Sequence, residues 1–245
     1  MALIDFQCYF GARGDGLAVR PPDLALASQY ATDVGAELML FAGEEAMTDL
    51  DGGNARLGEA LKTDARFRGW LGLSVHQPDL SQELARKYLT RGAWIGARFD
   101  QRTDNDAVTS AGGYTVINAL RRYGRLVLLT VNSPATLAAA IAAARDFYSL
   151  KFIVAPQNEL FTSDSLPAIR ESVNISWLPS AAFAERDVVA HAVETLGDKR
   201  VIWASDWGRL HPAAALGLIN ESQISEFQRE RIVLRNPREL LFFED

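Results

Sequence analysis

A chain of 245 residues, 48% hydrophobic and 23% charged, is long enough to bury one sizeable core. Its formal net charge is −6 with both signs interspersed, so no basic stripe exists to neutralise phosphates, and nucleic acid is set aside as a partner. The longest apolar runs have strand length, far short of a membrane span, and no signal-peptide pattern opens the chain, so no membrane partner and a cytoplasmic location are expected.

Eight short apolar runs read as strands: Leu3–Phe10, Glu37–Ala42, Arg68–Val75, Ala93–Phe99, Arg125–Val131, Lys151–Ala155, Asn174–Pro179 and Arg200–Ser205. Several are near-continuous in Val, Ile, Leu, Trp and Phe, the pattern of parallel strands covered on both faces. Cys8, the lone cysteine, lies within the first and reads as a buried, inert thiol. The intervening stretches carry helix signals. Pro21–Val34 starts with prolines suited to a first turn. Asp79 with Gln82 resembles a capping box ahead of Leu84–Leu89. Ser133-Pro134 caps and opens Ala135–Phe147, and Ala184–Leu196 stops at Gly197.

Strand starts recur roughly every 23 to 34 residues, the spacing of βα units. Eight such units without a linker predict one closed (β/α)8 TIM barrel spanning 1–245. An open doubly wound sheet is the alternative, weakened because Gly11-Ala-Arg-Gly-Asp-Gly16 has the wrong glycine spacing for a dinucleotide loop. In a barrel, that loop and Asp100–Gly113 belong to the C-terminal face, where sites are built.

At that face Arg200-Val-Ile-Trp-Ala-Ser-Asp-Trp-Gly208 delivers Asp206 to the tip of the eighth strand. A carboxylate there needs a partner, and Arg98 on the fourth strand is the expected one, either as an ion pair that plugs the barrel or as the fork for a substrate carboxylate or developing oxyanion. Arg209 adds positive charge, and His211, five residues after Asp206, is a proton-transfer candidate. Tyr9 and Trp207 are expected to line a pocket, while Trp203 is read as strand–helix core. His76 reads as a turn residue and His191 as lying outside the barrel.

Four segments, Ile4-Asp-Phe, Gly96-Ala-Arg-Phe, Val201-Ile-Trp-Ala-Ser-Asp-Trp and the tail Asn236-Pro-Arg-Glu-Leu-Leu-Phe, resemble the amidohydrolase-related barrels (the amidohydrolase 2 group) of decarboxylases, lactonases and other hydrolases. The resemblance implies a divalent metal held by a His-x-His pair on strand one, histidines on strands five and six and an aspartate on strand eight. Those positions correspond here to Gln7 and Tyr9, Thr130 with Asn132 close by, Pro156, and Asp206. Only the aspartate is retained, so no metal and no other cofactor is expected.

Three functions follow. The first is a metal-independent hydrolase of a small carboxylated lactone or ester, with Asp206 as general base, Arg98 on the substrate, and His211 or Tyr9 assisting proton transfer. It follows the lactonases of this group that need no metal. The second is a non-catalytic barrel that binds a small acidic metabolite or a protein partner. The third is an atypical metal site built from Asp206, His211, His76 and Asp5. Barrels of this group are often dimeric, so the resemblance also implies a homodimer.

Overall fold

The computed structural model describes residues 2–11, 24–90, 92–101, 107–123, 126–157, 165–179 and 187–242. Residues 12–16 and 102–106 of the two expected loops, and the starts of the helices expected from Pro21 and Ala184, lie outside these residues. Seven parallel strands form one sheet in sequence order: β1 (Leu3–Phe10), β2 (Ala36–Gly43), β3 (Phe67–Gly72), β4 (Trp94–Asp100), β5 (Leu126–Val131), β6 (Phe152–Pro156) and β7 (Ile175–Trp177). Helices follow them: α1 (Leu24–Val34), α2 (Leu50–Ala60), α3 (Pro78–Tyr88), α4 (Ala111–Leu120), α5 (Pro134–Asp146), α6 (Ser165–Ile169) and α7 (Val188–Leu196). The chain then runs through α8 (Pro212–Asn220), α9 (Glu226–Glu230) and α10 (Asn236–Leu241).

The eighth-strand segment closes the barrel between β7 and β1. It makes parallel bridges Trp177 to Val201 on one side and Cys8 to Trp207 on the other. The Ile202 amide donates to the Trp177 carbonyl (3.0 Å), and the Tyr9 amide to the Trp207 carbonyl (2.7 Å). The predicted strand is thus in place but irregular between these bridges, and two side chains explain it. The Asp5 carboxylate takes the Ser205 amide (2.9 Å), and Ser205 Oγ takes the Trp207 amide (2.9 Å). The tail motif is also explained: Asn236 Nδ2 donates to the carbonyl of Val201 (2.8 Å), pinning α10 to the start of this segment.

The Ser133 cap of α5 forms as read, a reciprocal capping box with Thr136. The box expected from Asp79 and Gln82 does not. Pro78 takes the first turn of α3 instead, with Gln77 at the cap position and no side-chain cap bond.

Candidate active site at the barrel mouth

One irregularity in β1 decides which residues face the mouth. Asp5 pairs with Met39 and Cys8 with Phe41, so three steps on β1 match two on β2, a bulge at Phe6–Gln7. Gln7 and Tyr9 lie on the mouth side. Asp5 lies behind the strand with Cys8 and Ser205, towards Tyr30 of α1. The inward position considered for Asp5 in an atypical metal site is therefore corrected, because the extra residue breaks the alternation that placed it with Gln7 and Tyr9. Burial raises the Asp5 carboxyl to about 6, against hydrogen bonds from Ser205 that lower it. Burial likewise pushes the Cys8 thiol well up, as expected of an inert cysteine.

Asp206 is buried, at 4% exposure, and adopts a left-handed backbone (φ 54°). Few non-glycine residues do so, and such outliers gather at functional sites. The conformation turns the chain so that the Arg209 and Leu210 amides fold back onto the Asp206 carbonyl (3.0 and 3.1 Å). Gln7 Nε2 donates to Asp206 Oδ1 (3.2 Å) and to the Tyr9 hydroxyl. Burial, with Asp206 nearby, pushes the Tyr9 phenol above its ordinary value, so it stays protonated.

Two guanidinium groups lie over the Tyr9 ring, Arg209 at 3.5 Å and Arg98 at 5.4 Å from its centroid. The expected Arg98–Asp206 ion pair is replaced. Arg98 Nη2 pairs with Asp100 Oδ2 at 3.1 Å, two residues along the same strand, and Asp206 acts on it only through space. Asp100 Oδ1 in turn accepts the Thr130 hydroxyl (2.6 Å), so Thr130 serves this pair. Arg209 Nη2 pairs with Glu44 Oε1 (2.6 Å), and its Nη1 donates to Gln157 Oε1 (3.2 Å). Glu44, just past β2, is a mouth residue that the sequence reading missed, as is Asp100. Position alone could have found both: each is acidic and sits at the C-terminal end of a barrel strand.

Other candidates fall outside this group. His211 is exposed, and its Nδ1 accepts the Ala213 amide (3.3 Å) as the cap of α8. Asn132 Oδ1 accepts the Thr136 hydroxyl (3.4 Å) at the start of α5. Trp207 packs edge-on against Phe41 (6.0 Å between centroids), within the core. Trp203 is core as expected, its indole donating to the Ala215 carbonyl (2.9 Å), and His76 and His191 are exposed.

Among the described residues, four buried polar atoms in this cluster have no hydrogen-bond partner: Gln7 Oε1, Glu44 Oε2, Arg98 Nε and Arg209 Nε. Buried polar groups are normally satisfied, so two donors and two acceptors left open call for a polar guest or water. A divalent metal does not fit the donors in its family position: an amide, a protonated phenol, a threonine already engaged, and Pro156, which has no side-chain donor. Among the described residues no three His, Cys, Asp or Glu side chains cluster to hold one. Nor, among them, is any helix long and apolar enough to cross a membrane.

Comparison with solved structures places this barrel among known ones. A Staphylococcus aureus protein assigned as an amidohydrolase superposes with a TM-score of 0.77 at 13% identity, covering 98% of this chain and 99% of that one. A dihydroxybenzoic acid decarboxylase from Polaromonas sp. JS666, with bound manganese and 2-nitroresorcinol, gives 0.74 at 16% identity, covering 98% and 96%. A Pseudomonas putida protein assigned as a 2-pyrone-4,6-dicarboxylic acid hydrolase gives 0.71 at 20% identity, covering 98% and 97%. At these identities the likeness establishes the fold, an α/β (β/α)8 TIM barrel. A search of curated proteins found no match to the sequence. The model of the Amidohydrolase family matches residues 18–243, nearly the whole chain, and the protein belongs to that family.

Proposed function

We propose that this amidohydrolase-family barrel hydrolyses a small carboxylated lactone or ester at its mouth without a metal ion. The observation that carries the proposal is the set of open polar atoms around Tyr9, beside a carboxylate held on a strained backbone. Arg98 Nε and Arg209 Nε are two charged donors suited to a substrate carboxylate or a developing oxyanion. Gln7 Oε1 and Glu44 Oε2 are acceptors for a hydroxyl or a bound water. Asp206 takes a proton from water as the water oxygen bonds to the substrate carbonyl. When the tetrahedral species collapses, the carbonyl–oxygen bond to the leaving group breaks, and Asp206 returns the proton to that oxygen. General-base help and oxyanion stabilisation each contribute roughly 10² to 10⁴-fold, enough for activated acyl groups. His211 has no part in this scheme. The Pseudomonas putida relative, by its assigned substrate, points to the same class of compound.

A second reading has its own support. Both guanidinium groups are already paired with buried carboxylates, so the mouth is largely neutralised from within, as a non-catalytic binder of a small acidic molecule would tolerate. One experiment separates the two: hydrolysis of a panel of carboxylated lactones and aryl esters by the wild-type protein and by Asp206→Asn, in chelator. Turnover that survives chelation and is lost in the variant supports the hydrolase. Binding of the same compounds without turnover by either protein supports the binder.

A further inference from the structure

A cavity opens at the other end of the barrel from the mouth. Its walls come from the starts of β6 and β7, from the turn Asp198–Arg200 that leads into the eighth-strand segment, and from α10. Its volume is about 500 Å³, within the range of about 300–1,000 Å³ that encloses a whole small ligand.

We infer that this cavity binds a small hydroxylated carboxylate, at a site separate from the mouth and independent of any chemistry there. Charge is the first observation. The wall carries three cations, Lys151, Lys199 and Arg200, against two carboxylates, Asp198 and Glu239. Both carboxylates are drawn to a further cation, Arg231, at 3.8 and 3.2 Å. Lys199 is exposed and has no ion-pair partner among the described residues. Arg200 donates to the carbonyls of Ile169, Arg170, Ser172 and Ile175 (2.7–2.9 Å), which leaves a single Nη1 hydrogen open. Burial lowers the pKa of this guanidinium, and Glu171, exposed and paired with Arg170 (3.4 Å), acts on it only through space. A half-buried cation balanced by carbonyl dipoles gains from an anion.

Polarity is the second observation. Asn236, which lines the cavity, is 1% exposed, and its Nδ2 donates to the carbonyls of Asp198 (2.6 Å) and Val201 (2.8 Å). Those two acceptors fix which way the amide faces, and they leave Oδ1 without a hydrogen-bond partner among the described residues. An open buried acceptor calls for a donor, which a bare carboxylate does not supply. A neutral hydroxyl meets this need, whereas an ammonium would face the cations of the wall. Ser176 of β7 also lines the cavity, and its hydroxyl bonds to no described residue, so it is open to the same ligand. Leu196 and Leu240 cover the carbon body.

The test is ligand-observed NMR titration of mandelate against the full chain, beside phenylacetate, which lacks the hydroxyl, and benzyl alcohol, which lacks the charge. Mandelate should bind about tenfold tighter than either. Lys199→Glu, a change at an exposed position, should weaken mandelate several-fold at an unchanged melting temperature, and Ser176→Ala should weaken it as well. Asp206→Asn, at the opposite end of the barrel, should leave mandelate binding as it is. Phenylacetate binding as tightly as mandelate, or mandelate binding that ignores Lys199→Glu, overturns the site. An affinity that changes with Asp206→Asn but not with Lys199→Glu places the anion at the mouth and likewise overturns it.

Discussion

Arg209 Nη2 sits 2.6 Å from Glu44 Oε1 while its guanidinium stacks 3.5 Å above the Tyr9 ring, so one side chain anchors both a buried carboxylate and a phenol at the barrel mouth. The pair is nearly sealed, with side-chain exposures of 16% and 2%. Removing one member strands the other's charge out of water, which costs about 3–5 kcal/mol, whereas replacing both with neutral groups of similar size is close to neutral. Urea denaturation should therefore show Arg209→Met strongly destabilised, and the double variant Arg209→Met with Glu44→Gln back within about 1 kcal/mol of wild type. Simple additivity of the two changes would contradict a coupled pair.

The Asp5 carboxyl makes stability depend on pH in a defined window. Its folded value of about 6 exceeds the ordinary 3.8, so between these pH values the native state holds a proton that the unfolded chain has released. Stability from this group is therefore present at low pH, falls as pH rises from about 4 to 6, and is flat above. The difference amounts to about 3 kcal/mol. Asp5→Asn keeps an oxygen for the Ser205 amide and cannot ionise. The variant should match wild type near pH 3.5, exceed it increasingly up to about pH 6 and by a constant margin above, measured by urea unfolding at each pH. A gap that does not change with pH would rule this out.

At Asp206 stability and chemistry should separate. Asparagine tolerates the left-handed backbone and keeps a side-chain acceptor, so Asp206→Asn should stay within about 1 kcal/mol of wild type yet lose turnover at least about 100-fold. Asp206→Gly removes the strain of a left-handed non-glycine residue, about 1–2 kcal/mol, and should melt higher while being inactive. Paired melting curves and kcat measurements check this. A glycine variant that melts lower would show that the contacts of the carboxylate outweigh the strain.

His211→Ala should leave turnover unchanged, because the ring faces solvent and caps α8. Loss of the cap should lower the melting temperature by about 2–4 °C, corresponding to about 1 kcal/mol. A change in the pH profile of turnover would restore it as a proton-transfer group.

Much of the barrel was legible in the sequence because parallel strands covered on both faces announce themselves as continuous apolar runs, and Leu126–Val131 matches its prediction to within a residue. The mouth was legible only in part. Asp206, Arg98, Gln7, Tyr9 and Arg209 come together, since each sits at or just past a strand tip. The bulge at Phe6–Gln7 was not readable, because neither residue carries a glycine or proline signal that would mark an irregular strand, and it reverses where Asp5 faces. The partners of Arg98 and Arg209 were also hidden. Which carboxylate a guanidinium takes depends on register across the sheet, and Asp100 and Glu44 compete successfully with Asp206 only because β4 and the turn after β2 bring them within 3.1 and 2.6 Å.

The central claim is that a hydrogen-bonded cluster of Gln7, Tyr9 and Asp206, flanked by two arginine–carboxylate pairs, stands where the family's metal cage would be. Metal content of the purified protein, measured by inductively coupled plasma mass spectrometry without added metal or chelator, tests it most directly. The account predicts zinc, manganese and iron all far below one equivalent per chain. A near-stoichiometric amount of any of them would contradict it.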